Sequence, residues 1–324
     1  MKNILFISIL FILFQSCESN TKIIKTSALG KLNSVLVVVD NDKWQSEVGD
    51  SIRSILAKTL IGFPQEEPRF SLSQISTRNF NKLLKQNRSI VFINFNDKNN
   101  FTILKDKYAS PQRIIAINAT NKNNLYKTLH KHEEEIIATI NESDIKSAQK
   151  LLLKKYWEPN TIETFKNNKI SIKIPYAFLK VQDTLNYTYF RKDIAEGYQI
   201  LQVYTIPITD ETEFNGENII KYRNEKGKQF VPGGLDGSYM KTEEMYFPIQ
   251  YKNKTMLGKE TIETRGTWEM EKSSMAGPFL NYALLDKKNN RIIVVEGSVY
   301  APSIAKRDYL FELEALLKTL VVNE

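Results

Sequence analysis

The sequence predicts a two-part fold: an open α/β layered domain, a long connecting helix, and an α+β domain built on an antiparallel sheet. Three observations predict it. In the first part, short continuous apolar runs such as residues 34–40 (SVLVVVD) alternate with helix-like segments, the pattern of strands buried on both faces of a parallel sheet. Residues 121–157 then contain neither Gly nor Pro and keep apolar side chains at helical spacing. Beyond Glu158-Pro159-Asn160 the pattern changes to period two, with Ile170, Ile172 and Ile174 alternating with Ser171 and Lys173.

Taken in order, residues 34–40 form the first buried strand, closed by Asp40-Asn41-Asp42. Residues 44–60 place Val48, Ile52, Ile55, Leu56 and Leu60 on one helical face, and Ile61-Gly62-Phe63-Pro64 ends that helix. Strands are expected at 69–75, 89–94 (SIVFIN) and 113–118 (RIIAIN), with short helices at 78–85 and 101–108. The long helix carries Leu125, Leu129, Ile136, Ile140, Ile145 and Leu152, with a break expected near Asn141-Glu142-Ser143.

In the second part, strands are expected at 170–175, 183–192 and 198–206. A polar helix lies within 210–228, and VPGGLDG (231–237) is a loop. A meander follows at 243–251, 258–269, 279–286 and 291–300, its last two strands joined by Lys287-Lys288-Asn289-Asn290. Residues 305–321 finish as a helix with Leu310, Leu313, Leu316, Leu317 and Leu320 inward. The expected divisions are 1–16 signal, 17–30 tether, 31–120 α/β domain, 121–158 connecting helix and 159–324 α+β domain.

The N-terminus predicts an address. Lys2 precedes an apolar stretch, residues 4–14, too short to span a bilayer as a permanent helix, and Gln15-Ser16-Cys17 follows it. A small residue directly before a cysteine resembles the lipobox of bacterial lipoproteins. Residues 1–16 then read as an export signal, and Cys17 as the residue that becomes acylated and holds the protein on a membrane. Cys17 is the only cysteine, which removes disulfides and thiol catalysis. The expected location is the cell envelope, on the periplasmic face of the outer membrane.

With 42% hydrophobic and 11% aromatic residues, the chain can build two cores and is not a disordered stalk. Lys and Arg number 45 against 37 Asp and Glu, a net charge of +8. The cations are scattered, without an arginine stripe or a basic run interleaved with aromatics, so nucleic acid is not an expected partner. The surplus suits an anionic lipid surface or a cell-wall polymer.

No catalytic set stands out. His130 and His132 are the only histidines; two residues apart on a helix, they point away from each other and cannot share a metal, although His130 with Glu134 could. Neither a metal nor another cofactor is expected. There is no Gly-x-Ser-x-Gly turn, and 231–237 lacks phosphate-loop or dinucleotide spacing. Glu243, Glu244, Glu260, Glu263, Glu269 and Glu271 keep open a hydrolase that works through paired carboxylates. Trp268, Gly277 and Phe279, in RGTWE and MAGPF, are the candidate binding surface. They could line an apolar groove, and a lipid or small-ligand carrier would need an enclosed pocket beside them.

The lipobox, Gly30-Lys31-Leu32-Asn33-Ser34-Val35 with the VVVD strand, Trp44 with Gly49-Asp50-Ser51-Ile52-Arg53, Gln65-Glu66-Glu67-Pro68-Arg69-Phe70, and Arg265-Gly266-x-Trp268-Glu269 through Gly277-Pro278-Phe279 resemble a family of Bacteroidetes envelope lipoproteins classed as a domain of unknown function (4837). The resemblance runs over nearly the whole chain after Cys17. It implies location and architecture and carries no catalytic residues. The expected function is a lipid-anchored, non-enzymatic binding or scaffold protein whose partner is another envelope protein or a cell-wall component.

Overall fold

The computed structural model describes residues 25–246 and 249–323. The expected export signal, residues 1–16, and Cys17 lie outside the described residues.

The first unit is a five-stranded sheet in the order β2-β1-β3-β5-β4. Strands β1 (Ser34–Val38), β2 (Ser71–Ile75), β3 (Ser89–Phe95) and β5 (Arg113–Ala119) are parallel, and β4 (Asn100–Lys105) pairs antiparallel with β5. Val35, Val37, Val91, Ile115 and Ile117 point from one face into a core shared with helices α2 (Glu47–Leu56), α3 (Lys122–Lys131) and α4 (Glu133–Leu152). Leu36, Val38, Ile90 and Ile114 fill the other face, covered by Phe80 and Leu84. The two-sided burial that the apolar runs imply is therefore present.

Four expectations in this unit need correction. Residues 101–108 are not a helix, because Phe101–Lys105 lie along the exposed edge of β5 and satisfy their backbone there as β4. Residues 78–85 form two short 3₁₀ turns, at Thr77–Asn79 and Leu84–Gln86. Residues 44–60 split into α1 (Asn41–Trp44) and α2, because the Ser46 side chain accepts from the Val48 N–H and starts a new helix. The long helix breaks at His132, and no break occurs at 141–143. There His132 stacks on Phe101, ring centroids 3.9 Å apart, and three glutamates begin α4, favourable at a helix N-terminus.

The second unit is an antiparallel sheet in the order β10-β12-β13-β14-β9-β8-β7, with β11 next to β10 along the same edge of β12. Its strands are β6 (Ile170–Ser171, paired with the C-terminal β15, Val321–Val322), β7 (Leu179–Asp183), β8 (Tyr187–Ile194), β9 (Gly197–Pro207), β10 (Met240–Glu243), β11 (Gln250–Met256), β12 (Lys259–Met270), β13 (Ala276–Asp286) and β14 (Arg291–Tyr300). The expected strand at 243–251 falls mostly between two strands, since β10 ends at Glu243 and β11 begins at Gln250, and the alternation at 170–175 is mostly irregular backbone that still buries Ile170, Ile172 and Ile174. Helices α5 (Glu163–Asn168) and α7 (Arg307–Leu317) cover one face, and α6 (Gly216–Phe230) covers the other.

Beneath α6 the apolar face is crossed by one polar row. Thr264, Asn281, Glu296 and Gln202 are register partners across β12, β13, β14 and β9. Arg223 of α6 meets Glu296 with Nε at 3.0 and 3.1 Å and Nη2 at 2.9 Å, donates Nη1 to Thr242, and stacks on Phe279.

Among the described residues, two sets of packing contacts join the units. Ile145 and Ala148 of α4 pack on Phe311 and Ala315 of α7. The segment 57–70 reaches from the first unit to the second: Phe63 enters the second unit's core, and the Gly62 carbonyl accepts from the Thr267 hydroxyl at 3.0 Å. Gly62 has φ +84° and a Cβ there would come within 3.1 Å of Gly266, so both close approach and backbone angle call for glycine.

Candidate functional site

Trp268, Gly277 and Phe279 do not form a surface. Trp268 and Phe279 have no exposed area; the Trp268 indole N–H donates to the Val299 carbonyl at 3.2 Å. A Cβ on Gly277 would lie 1.9 Å from the Val299 oxygen, and one on Gly266 would meet the Phe279 ring at 2.9 Å. The sequence reading took a well-filled core for a groove, because aromatic and glycine residues that interlock at a sheet crossing have the composition of a ligand site.

The histidines are also structural neighbours of acids and rings: His130 lies 4.0 Å from Glu133 and His132 lies 2.8 Å from Glu135. Among the described residues no group of three or more His, Cys, Asp or Glu is placed to hold a metal ion. The acids singled out in the sequence are dispersed. Glu269 and Glu271 pair with Lys241, Glu260 pairs with Lys287, Glu244 is exposed, and Glu243 accepts from the N–H groups of Met245 and Tyr246. Only Glu263 reaches a cleft.

That cleft, with a volume of about 1150 Å³, lies where the two units meet. The first unit supplies Lys58 to Ile61 and Arg69, and α4 supplies Glu133, Glu134, Ile137, Ala138, Asn141 and Ile145. The second supplies Lys252 and Lys254 of β11, Glu263 and Arg265 of β12, and Phe311, Glu314 and Lys318 in or just beyond α7. Positions 263 and 265 share a face because a strand repeats every two residues. Glu314 faces them because it lies four residues after Leu310 and three before Leu317, on the inward side of α7.

At the floor Arg265 bridges two carboxylates, donating Nε to Glu263 at 2.7 Å and Nη2 to Glu314 at 2.8 Å. Glu314 also accepts from the Tyr282 hydroxyl at 3.2 Å and from Lys318 at 2.8 Å, and Lys254 pairs with Glu263. Burial by itself would raise the Glu314 carboxyl, but Arg265 and Lys318 outweigh it and hold it well below the usual carboxylate range. The same contest leaves Glu263 lowered, with Arg265 and Lys254 overcoming burial and the repulsion of Glu314. Burial and the adjoining Glu314 keep the Tyr282 hydroxyl protonated. The floor is therefore a set of ionised, mutually committed groups. Neither acid has a proton to donate at neutral pH, and the Arg265 guanidinium stands between them where a glycosidic bond would have to lie.

Sequence reasoning missed Arg265 and Glu314 as a pair. A signal existed, since an acid at an inward position of the leucine-rich run Leu310-Phe311-Glu312-Leu313-Glu314 requires a buried cation.

Comparison with known proteins gives two matching families. One, described as Domain of unknown function (DUF4837), matches residues 158–319, half of the chain. The other, described as Domain of unknown function (DUF8532), matches residues 28–153, so the expected likeness to the first family over nearly the whole chain is confined to the chain's second half, and the motifs at 30–35, 44–53 and 65–70 fall within the other family's match. No curated protein matches. Among solved structures, the Ran-binding protein Mog1p of Saccharomyces cerevisiae is similar at 8% identity, over 50% of this chain and 93% of that chain, with a TM-score of 0.32.

Proposed function

This chain belongs to the family described as Domain of unknown function (DUF4837), and from that premise we propose that it is a non-enzymatic binding module of the cell envelope that holds a partner in the cleft between its two units. The observation that carries this is the bridging of Glu263 and Glu314 by Arg265. It turns the acids of the cleft between the units into a fixed, charged floor, suited to recognition and not to proton transfer. The cleft also combines apolar wall, from Ile137, Ala138 and Phe311, with convergent polar groups, as binding sites do.

The test compares two readouts on the full chain. Pull-down from solubilised membranes should recover a partner that is lost when Ala138→Arg fills the cleft from the exposed face of α4. Turnover of a panel of glycan, peptide or ester substrates, abolished by Glu263→Gln, would overturn the reading.

The membrane address is part of the same proposal. Acylation at Cys17 would leave the described domains within reach of an envelope partner through residues 17–30. Cys17→Ala should stop labelling by a fatty-acid analogue and leave the precursor uncut. Unchanged labelling and processing would refute it.

A further inference from the structure

Among the described residues, most acids of the cleft are committed to cations, but two of its cations are committed to none. Glu263 and Glu314 are held by Arg265, Lys254 and Lys318, and Glu142 is held by Arg113 and Lys146. Glu133 is 3.9 Å from Arg69, a loose contact, and Glu134 is the one acid of the lining without a cation among the described residues. Against it stand Lys58, on the 57–70 segment, and Lys252, on β11, both exposed and neither ion-paired among the described residues.

Of the three arginines in the lining, Arg69, Arg265 and Arg307, the first two approach from opposite units. Arg69 comes from the 57–70 segment and donates Nη1 to the Ile55 carbonyl at 3.2 Å; Arg265 comes from β12. Burial, and then the charge of Arg265, depress the proton affinity of Arg69, with Glu133 opposing them. Like charges converging in a partly desolvated cleft cost energy unless an anion lies between them.

We infer that the cleft binds a phosphate ester group, shared between Arg69 and Lys58 of the first unit and Lys252 of the second, with the Arg265 floor beneath. Phosphate is favoured over carboxylate because its oxygens point in several directions. It can accept from donors on both walls, whereas a carboxylate presents its two oxygens in one plane. The apolar wall of Ile137, Ala138 and Phe311 fits the organic part of the ester. This rests on the cleft being the binding site proposed above.

The test is calorimetric titration of the full chain in nonionic detergent, with inorganic pyrophosphate in one arm and dihexanoyl phosphatidic acid in the other. Saturable binding is expected, weakened at least tenfold by Arg69→Gln and by Lys252→Gln, and weakened by added salt. Lys252 is exposed on an edge strand, so its substitution leaves folding intact should Arg69→Gln fail to fold. Binding of pyrophosphate assigns a soluble phosphate; binding of the lipid alone assigns a headgroup. No binding in either arm, or binding that both variants leave unchanged, overturns the inference. Loss of a pulled-down partner in Ala138→Arg would still stand in that case, which separates this failure from failure of the cleft reading.

Discussion

Glu67 caps a helix that begins about three-quarters of the chain later. Its carboxylate oxygens accept from the backbone N–H groups of Lys306 and Arg307, each at 2.8 Å, at the start of α7. The contact is buried, with Glu67 6% exposed, and it places a negative charge where a helix has free donors and positive potential. It is at once a cap and a clamp between the two units. Lys306 and Arg307 strengthen it by donating their side chains to Gln65 and to the Pro68 carbonyl.

Glu67→Ala should therefore destabilise the fold by about 2–3 kcal/mol, more than an exposed cap, since it strips two charge-assisted hydrogen bonds from a buried site. Glu67→Gln should recover part of that loss, because an amide oxygen still accepts. Urea denaturation would measure both; a loss below about 0.5 kcal/mol for Glu67→Ala would show that the clamp is incidental.

A second link between the units should titrate. Asp144 of α4 is fully buried and accepts from the Asn33 N–H at 3.0 Å and from Arg88 at 3.1 Å; Asn33 in turn donates its side chain to Asp308 at 2.8 Å. Burial pushes the Asp144 carboxyl up from 3.8 to about 6, against the pull of Arg88 and the Asn33 N–H. A carboxyl raised in the folded state contributes stability that is fully present below its unfolded value and lost as pH climbs through the folded one. Between pH 4 and pH 7 this group should cost the fold up to about 3 kcal/mol. Melting curves of the parent and Asp144→Asn should lie closest at the low-pH end of that window and separate toward neutrality, with the parent losing stability relative to the variant. Parallel curves would mean that the carboxyl is ionised throughout.

These joints explain which parts of the fold were legible in the sequence. The strand at Val35–Val38 could be read because a two-sided environment demands apolar side chains at every position, and α7 because Leu310, Leu313 and Leu317 keep one face. Phe101–Lys105 could not: a short mixed segment becomes strand only because β5 has an open edge beside it, a fact of tertiary structure. The break at His132 left one sign, the acidic triplet Glu133-Glu134-Glu135, which marks a helix start once it is known that no Gly or Pro is needed. The cleft was least legible. Glu67 meets Lys306 and Arg69 meets Arg265 across most of the chain, and local spacing carries no record of such contacts. The helix-ending Ile61-Gly62-Phe63-Pro64 and the RGTWE stretch prove to adjoin each other at this joint, through Gly62 against Gly266 and Thr267.

Gly277 should tolerate no side chain. Its missing Cβ is replaced by the Val299 carbonyl oxygen, 1.9 Å from where the atom would be, and that same oxygen receives the Trp268 indole N–H. The obstacle is backbone, so no rotamer change relieves it. Gly277→Ala should cost about 3 kcal/mol and displace Trp268, visible as a red shift in its fluorescence. A variant with unaltered stability and emission would mean that β13 and β14 are less tightly apposed than described.

The polar row beneath α6 should behave as a unit. Arg223 and Glu296, both nearly unexposed, meet in a bidentate pair, while the Tyr204 hydroxyl, Thr264 hydroxyl, Asn281 side-chain oxygen and Ser298 hydroxyl around them are buried without partners. Removing one member of a buried ion pair leaves an uncompensated charge, costing about 3–5 kcal/mol, whereas removing both costs far less than the sum. Arg223→Met and Glu296→Gln should each be severely destabilising, and the double variant should regain most of one loss. The coupling would be measured in a double-mutant cycle by chemical denaturation. Near-additive losses would mean that each side chain is held by the rest of the row more than by the other: Glu296 by the Asn281 amide at 3.3 Å, and Arg223 by Thr242 at 2.9 Å. In that case the row, and not the ion pair, is what fixes α6 on the sheet.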